Sequence, residues 1–269
     1  MTEILSNLID GKSLTQAQAQ SYFSAVINGE VEPANLGAVL TALKIKGETS
    51  EEIAGAAIAI RASATPFPAQ TIPLADCVGT GGDGANTINI STTAAILAAG
   101  CGLKMAKHGN RSVSSMSGSA DLLEALGVNL SMSPETASKC IEKANLCFLY
   151  APAYHPGFRH AGPVRKAMGV RTLFNVLGPL VNPAFPEVML LGVYSPSLIS
   201  IMAKSLQLTG VKKAWVVHGS GLDEIALHGE THLTEIDGDK LTDKIISPED
   251  FGLKRYTLDD IKGGTPQEN

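Results

Sequence analysis

The sequence predicts an α/β protein: a small all-helical N-terminal part and a larger α/β part with a mostly parallel central sheet. Three observations predict it. The first sixty residues carry only helical apolar periodicity. From residue 74 onward short apolar runs alternate with helical patterns. Glycine is enriched, at 27 of 269 residues, as many tight backbone turns require.

The N-terminal helices have readable starts and stops. Thr15 with Gln18 and Thr49 with Glu52 have capping-box spacing ahead of helical apolar patterns. Pro33 opens a helix through Leu36, Val39, Leu40 and Leu43 that stops at Gly47. The helix after Thr49 reads Ile-Ala-Gly-Ala-Ala-Ile-Ala-Ile-Arg, small enough for close helix packing. Pro66, Pro68 and Pro73 then mark a connector. Strands are expected over 74–78, 103–107, 146–150, 188–194 and 214–218, and helices from Ser91, from Ser133 with Pro134 behind it, and after Ser195.

Composition excludes several classes. Lys plus Arg is 21 and Asp plus Glu is 26, a net charge of −5, which argues against a general nucleic-acid or anionic-membrane binder. With 17% charged and 44% hydrophobic residues the chain has the balance of a folded protein. The opening MTEILSNLIDGK has no basic n-region, and Asn86, Asn89, Ser91, Thr92 and Thr93 interrupt the longest uncharged stretch, 84–103, so neither a signal peptide nor a membrane span is expected. Cys77, Cys101, Cys140 and Cys147 form no C-x-x-C pair and read as reduced core residues of a cytoplasmic protein. The six histidines form no zinc pattern.

Gly79-Thr80-Gly81-Gly82-Asp83-Gly84 formally matches G-x-G-x-x-G after a strand. The dinucleotide fingerprint also wants a helix at once and an acid about 20 residues on. Here Thr87-Ile88-Asn89-Ile90 intervenes, and no acid occurs between Asp83 and Asp121. A Walker loop is excluded as well, because Ala85 and Asn86 follow Gly84. What remains is a glycine turn offering backbone N–H groups ahead of a helix start at Ser91, which suits phosphate or diphosphate. The acid-free window 84–120 holds Lys104, Lys107, His108, Arg111 and many hydroxyls, a locally basic stretch fit for an anionic ligand. Downstream, Asp223 and Glu224 follow the turn Gly219-Ser220-Gly221 after a strand. Adjacent carboxylates near a diphosphate are natural Mg²⁺ ligands. The remaining cationic stretch, from Arg159 and His160 through Arg165 and Lys166 to Arg171, offers a guanidinium for a second anion such as a carboxylate, or is a wet helix face. His155, before Pro156, reads as a turn residue.

Gly79–Asp83, Asn89-Ile90-Ser91-Thr92, 107–115 and Arg171-Thr172-Leu173-Phe174-Asn175-Val176-Leu177-Gly178-Pro179-Leu180, in this order, resemble the anthranilate phosphoribosyltransferase family over essentially the whole chain. The resemblance implies a helical domain over 1–70, joined by helices from about 165–186, and an α/β domain over 71–269. It also implies a homodimer through the helical domain, Mg²⁺, and the substrates phosphoribosyl diphosphate and anthranilate. By the resemblance, Gly79, Gly82, Asp83, Thr87, Asn89, Ile90, Ser91, Thr92, Lys107, His108, Gly109, Asn110, Arg111, Ser112, Val113, Ser114, Ser115 and Ser119 bind the phosphoribosyl donor. Ser91, Asp223 and Glu224 hold the metal, and Gly79, Asn110 and Arg165 bind anthranilate, with Arg165 on its carboxylate. The chemistry expected is displacement at C1 of the ribose, with leaving-group charge met by Mg²⁺, Lys107, Arg111 and backbone amides, and with Asp223 and Glu224 acting through the metal. Two readings compete: a pyrimidine nucleoside phosphorylase of similar fold, and a non-catalytic relative binding nucleic acid. The chain stops several dozen residues before members of the family usually end, so the last strand and helices of the α/β domain are expected to be absent.

Overall fold

The computed structural model describes residues 2–112 and 116–269. Four helices come first: α1 (Thr2–Ile9), α2 (Gln16–Asn28), α3 (Pro33–Lys46) and α4 (Ser50–Ala62). Both expected capping boxes are present: Thr15 and Gln18 exchange hydrogen bonds at the start of α2, as do Thr49 and Glu52 at the start of α4. The buried face of α2 is Ala19, Tyr22, Phe23, Val26 and Ile27, the spacing of one helical stripe. A side chain at Gly55 of α4 would overlap the carbonyl of Gln16 and the methyl of Ala19, so the small residues of α4 let the two helices pack backbone to backbone.

Glu52 ties this bundle together. It is fully buried; its Oε1 accepts the Leu14 N–H at 2.8 Å, and its Oε2 accepts the Thr49 N–H at 2.8 Å and the Lys46 ammonium at 2.9 Å. One carboxylate therefore joins the α1–α2 turn, the end of α3 and the start of α4.

The α/β part begins with β1 (Ala75–Gly79), α5 (Ile90–Gly100), β2 (Met105–Gly109), α6 (Ser119–Ala125), α7 (Pro134–Ala144) and β3 (Leu146–Tyr150). The short helix α8 (Ala151–Tyr154) leads to α9 (Phe158–Met168) and α10 (Phe174–Leu177), which pack against α2, α3 and α4 rather than on the sheet. The chain then returns through β4 (Val188–Gly192), α11 (Ile199–Leu208) and β5 (Lys213–Gly219). These five strands lie in the order β3-β2-β1-β4-β5, all parallel.

The last two strands were not expected. β6 (Thr231–Asp237) and β7 (Lys240–Ile246) form an antiparallel hairpin on the edge of β5. The signal was present: Gly238-Asp239 is a two-residue hairpin turn, with Gly238 at φ 61°, between two segments of β-prone residues. Charged residues in both strands masked it. A second correction concerns the cysteines. Cys77 and Cys147 are buried, but Cys101 is exposed and Cys140 is half-buried.

The largest apolar cluster runs without a break from the helical bundle into the α/β part. It joins Phe23, Leu40, Ile53 and Phe174 to Met202, Leu191 and Val216. Polar ties cross the same boundary: Ser205 Oγ donates to the Ser50 carbonyl, and the Arg61 guanidinium to that of Thr209 at 2.9 Å. A smaller cluster packs α5 on the opposite face of the sheet, through Ala75, Cys77, Ala95, Ala99 and Met105. No helix among the described residues is long and apolar enough to cross a membrane.

Replacing Glu52 with Ala leaves the Leu14 and Thr49 backbone donors without their acceptor and takes one partner from the Lys46 ammonium, which keeps Ser13 Oγ and the Gly47 carbonyl. Glu52→Ala should cost about 3 kcal/mol of stability, read as a lowered urea midpoint; a loss under 1 kcal/mol would show that the three contacts are replaceable by water.

Candidate active site

Strand order reverses between β1 and β4, and open α/β sheets bind ligands in the crevice at that point. Gly79 and Gly192 end these two strands in register with each other. The Thr80 N–H donates to the Gly192 carbonyl at 2.9 Å, and the Tyr194 N–H to Thr80 Oγ1 at 3.1 Å. The loop after β5 lies across both strand ends. A Cβ at residue 79 would overlap the Asp223 carboxylate, and one at residue 192 would overlap the Asp223 backbone. The Gly81 N–H donates to Asp223 Oδ2 at 2.6 Å, and Ser91 Oγ donates to Glu224 Oε1 at 2.6 Å. His218 shapes the turn: its Nδ1 lies 2.8 Å from the Val193 carbonyl, and its Nε2 accepts the Gly221 N–H at 3.3 Å. Residues 79, 81, 91, 223 and 224 thus meet.

The acids are held out of water with little positive charge beside them. Burial, then the charges of Asp83 and Glu224, push the Asp223 carboxyl well above the usual carboxylate range. Burial raises Glu224 too, against the opposing pull of the Ser91 hydroxyl and the Lys107 charge. Such a pair suits a divalent cation. Among the described residues no three His, Cys, Asp or Glu groups could hold an ion by themselves. Two carboxylates with the Ser91 hydroxyl beside them suit Mg²⁺, which takes one or two carboxylates and completes its shell with water and phosphate oxygens.

The glycine turn gathers open backbone amides beside these acids. Gly81, Gly82 and Gly84 have φ of 68°, 82° and 78°, a left-handed conformation that side chains resist. The Gly81 amide is used by Asp223, whereas the amides of Gly82, Asp83 and Gly84 have no hydrogen-bond partner among the described residues. Successive open N–H groups of this kind bind anions. Arg171 donates Nη2–H to the Gly82 carbonyl while its guanidinium stacks 4.2 Å from the Tyr194 ring centre. Residues 86–89 are held from the far end of the chain. Thr87 bridges Lys262, the Ile88 N–H donates to the Ile261 carbonyl at 2.9 Å, and Asn269 Nδ2 donates to Asn89 Oδ1 at 2.8 Å. Asn89 also accepts from Ser117 Oγ at 2.9 Å, while Ile90 and Thr92, the latter buried, sit in the first turn of α5.

The basic loop after β2 divides. Lys107 is 3% exposed, with its Nζ 2.7 Å from the Cys77 carbonyl, and its charge acts on Glu224. Arg111 faces elsewhere. Its guanidinium donates to both oxygens of Glu124, at 2.8 and 2.9 Å, and to Asp121 at 3.0 Å. Asp121 also accepts the N–H groups of Ser112 and Gly118 at 2.9 Å each, closing the loop on α6. Ser119 Oγ donates to the Asn110 carbonyl, and a side chain at Gly109 would overlap that hydroxyl. Val113, Ser114 and Ser115 lie outside the described residues.

A second group gathers on the opposite face of the sheet, and its members Phe158, Asp76 and Asn182 lie in no motif of the sequence. His108 and His155 stack edge to face at 5.2 Å, His155 meets Phe158 at 5.9 Å, Phe158 meets Phe174 at 5.7 Å, and Arg165 lies 5.2 Å from the Phe174 ring centre. His108 Nδ1 is 3.2 Å from the Gly178 carbonyl, but its Nε2 and both ring nitrogens of His155 are buried without partners among the described residues. Burial, then the charge of His155, pulls His108 down to about 3, and burial pulls His155 down to about 4. Both imidazoles are therefore neutral. Arg165 is half-buried and has no ion-pair partner among the described residues. Beneath them the buried Asp76 accepts Asn182 Nδ2–H at 2.8 Å, and Asn182 also donates to the Ala106 carbonyl at 2.8 Å. The readable signals were a lone carboxylate in the strand Leu74-Ala75-Asp76-Cys77-Val78 and a lone Asn in Leu180-Val181-Asn182-Pro183.

Comparison with known proteins agrees with this architecture. Residues 2–64 match the helical bundle domain of a glycosyl transferase family, and residues 71–269 match its a/b domain. The anthranilate phosphoribosyltransferase of Colwellia psychrerythraea is 72% identical over 268 residues, covering 99% of this chain and 73% of the relative. The crystal structure of anthranilate phosphoribosyltransferase from Thermus thermophilus superposes with a TM-score of 0.93 at 45% identity, over 98% of this chain and 79% of that one. The Saccharomyces cerevisiae enzyme, solved in complex with phosphoribosyl diphosphate and Mg, superposes at 0.89 with 30% identity, over 99% and 78%.

The buried imidazoles give stability a pH dependence of known sign. A histidine near 6.5 when unfolded and about 4 when folded binds its proton only in the unfolded chain between those values. Stability then falls as pH drops from 6.5 to 4. Asp76, raised to about 6 by burial, works the other way between 6 and the ordinary aspartate value. The His155 contribution is isolated by difference. Urea unfolding of wild type should lose about 1.4 kcal/mol more per pH unit across that window than His155→Asn does; parallel profiles would mean that His155 ionises freely in the folded chain.

Proposed function

The chain belongs to the anthranilate phosphoribosyltransferase family, and from that membership we infer that it transfers the 5-phosphoribosyl group of phosphoribosyl diphosphate to the amine of anthranilate. The products are N-(5-phosphoribosyl)anthranilate and diphosphate, a step of tryptophan biosynthesis. The observation that carries this reading is the docking of Asp223 and Glu224 across Gly79 and Gly192, next to the open amides of the glycine turn. The relatives favour it over the phosphorylase and nucleic-acid readings.

In the reaction a C–N bond forms at C1 of the ribose while the C1–O bond breaks. The electron pair leaves with diphosphate, and the amine gives up a proton. Asp223, Glu224 and Ser91 are the groups that would hold Mg²⁺, and the bound ion supplies charge neutralisation to the diphosphate. The amides of Gly82, Asp83 and Gly84 offer donors to the departing anion without reorganisation. Lys107 adds a fixed positive charge behind them. Asn89 and Thr92 present polar groups at the start of α5, while Asn110, Ser112 and Ser119 line the loop facing it. In the conformation described, the Arg111 charge is spent on Glu124 and Asp121, and service to the diphosphate requires exchanging those partners.

The aromatic acceptor fits the other face. Arg165 has donors open for its carboxylate, and Phe158 and Phe174 offer ring surfaces. The unpartnered Nε2 of His108, and whichever ring nitrogen of neutral His155 carries no proton, can accept an amine N–H. Their low proton affinity makes them poor bases, which agrees with an aromatic amine that needs little activation. The chain works as a homodimer through its helical domain, a reading supported by the exposure of Ile9 and Ile45, at 70% and 82%. A cytoplasmic setting follows from the same reading.

Purified protein given phosphoribosyl diphosphate and Mg²⁺ should consume anthranilate fluorescence, and chelation should stop the decay. Asp223→Asn with Glu224→Gln should lower kcat by at least about 100-fold, and Arg165→Ala should raise the KM for anthranilate about 10- to 100-fold with a smaller change in kcat. Undiminished turnover in the double variant at limiting Mg²⁺ would remove the metal assignment. Sedimentation should report twice the monomer mass; a monomer at micromolar concentration would remove the dimer.

A further inference from the structure

Four arginines lie near the two faces of the site, and only one touches the donor loop. Arg111 is saturated by two carboxylates of α6, Arg165 lies over Phe174, and Arg159 donates to its neighbour His160. Arg171 alone reaches the glycine turn. It rises from the segment between α9 and α10, stacks on Tyr194 just beyond β4, and donates to the carbonyl of Gly82. A side chain at residue 82 would overlap the guanidinium, so the glycine also makes room for this contact.

We propose that Arg171 is a positioning residue of the donor site, which fixes the Gly82 peptide so that the amides of the glycine turn stay aimed at the donor's diphosphate. The inference rests on the proposed transferase reading and deepens it. Its physical basis is the planarity of the peptide bond. In a trans peptide the C=O and the following N–H point in opposite directions, and no cis peptide occurs among the described residues. Anchoring the Gly82 carbonyl on Arg171 therefore turns the Asp83 N–H away from Arg171, into the set of open amides. Glycine makes this anchor necessary. Residues 81, 82 and 84 all sit at positive φ without side chains to hold them, and the turn would otherwise sample many orientations.

The clamp is cross-braced. Tyr194, under the guanidinium, donates its own N–H to Thr80 Oγ1, and Thr80 donates its N–H to Gly192, so guanidinium, ring and turn form one closed circuit. Arg171 also lies six positions after Arg165 on the same stretch of chain. The segment that carries the acceptor's expected partner thus also steadies the donor loop.

The test uses the full chain. Binding of phosphoribosyl diphosphate with Mg²⁺ is measured by calorimetry, beside steady-state kinetics and the unliganded thermal midpoint. Arg171→Ala should weaken donor binding and raise the donor KM about 10- to 100-fold, with kcat and the anthranilate KM changed less than about threefold. Because Arg171 is exposed, its thermal midpoint should not move. Arg171→Lys, which keeps a donor and the charge but loses the planar stack, should recover part of the affinity. Tyr194→Ala should weaken donor binding in wild type but add little to Arg171→Ala. Unchanged donor affinity in Arg171→Ala, or an effect confined to the anthranilate KM, would overturn the proposal. A lowered thermal midpoint matching the lost affinity would reduce Arg171 to a structural role. If wild type itself binds no phosphoribosyl diphosphate, it is the underlying transferase reading that fails, and these variants separate the two cases.

Discussion

Everything at the site depends on one close approach. Asp223 can lie across the ends of β1 and β4 only because residues 79 and 192 have no side chains. That approach delivers a carboxylate to the Gly81 amide and brings Glu224 within reach of Ser91. Two carboxylates then stand in a buried crevice, which is unfavourable for the folded chain on its own and favourable once a cation and a polyanion arrive together. The fold thus stores its binding preference in two carboxylates whose charged forms burial disfavours. Strand register sets the geometry: Gly79 pairs with Gly192, and any slip would place a side chain in the path of the acid loop.

The sheet also separates two kinds of chemistry. On the α5 side lie Cys77, Lys107, Ser91 and Glu224, polar and charge-rich. On the other side lie Asp76, His108, His155 and the rings leading to Arg165, where neutral imidazoles and aromatic surface prevail. Alternation along β1 and β2 produces this division, since neighbouring residues such as Lys107 and His108 point to opposite faces. On the proposed reading, the first face would suit a polyanionic donor and the second a flat aromatic acceptor.

The sequence was most legible where local chemistry decides structure. Capping pairs, Pro33, Ser133 and the glycine turn fixed element starts within a residue or two, because each acts on its own neighbours. The hairpin of β6 and β7 was overlooked because Lys240, Asp243 and Lys244 suggest a wet loop, whereas on an edge strand charge is the usual protection. In the site, the residue types on the glycine turn and in the acid pair were readable from their spacing. Asp76, Asn182 and His155 were not, since their meaning comes from partners far away in sequence. Arg171 was visible only as one more cation in a basic stretch; the carbonyl it holds lies 89 residues earlier.

The long reach of the acid loop also orders events during synthesis. Gly81 and Asp223 are 142 positions apart, Ser91 and Glu224 are 133 apart, and residues 86–89 wait for partners from Ile261 onward. A ribosome that has made the helical bundle and the first three strands has therefore made every glycine of the turn and none of its anchors. The nascent chain can bury much of its apolar surface long before it can bind an anion, so ligand cannot assist the early folding.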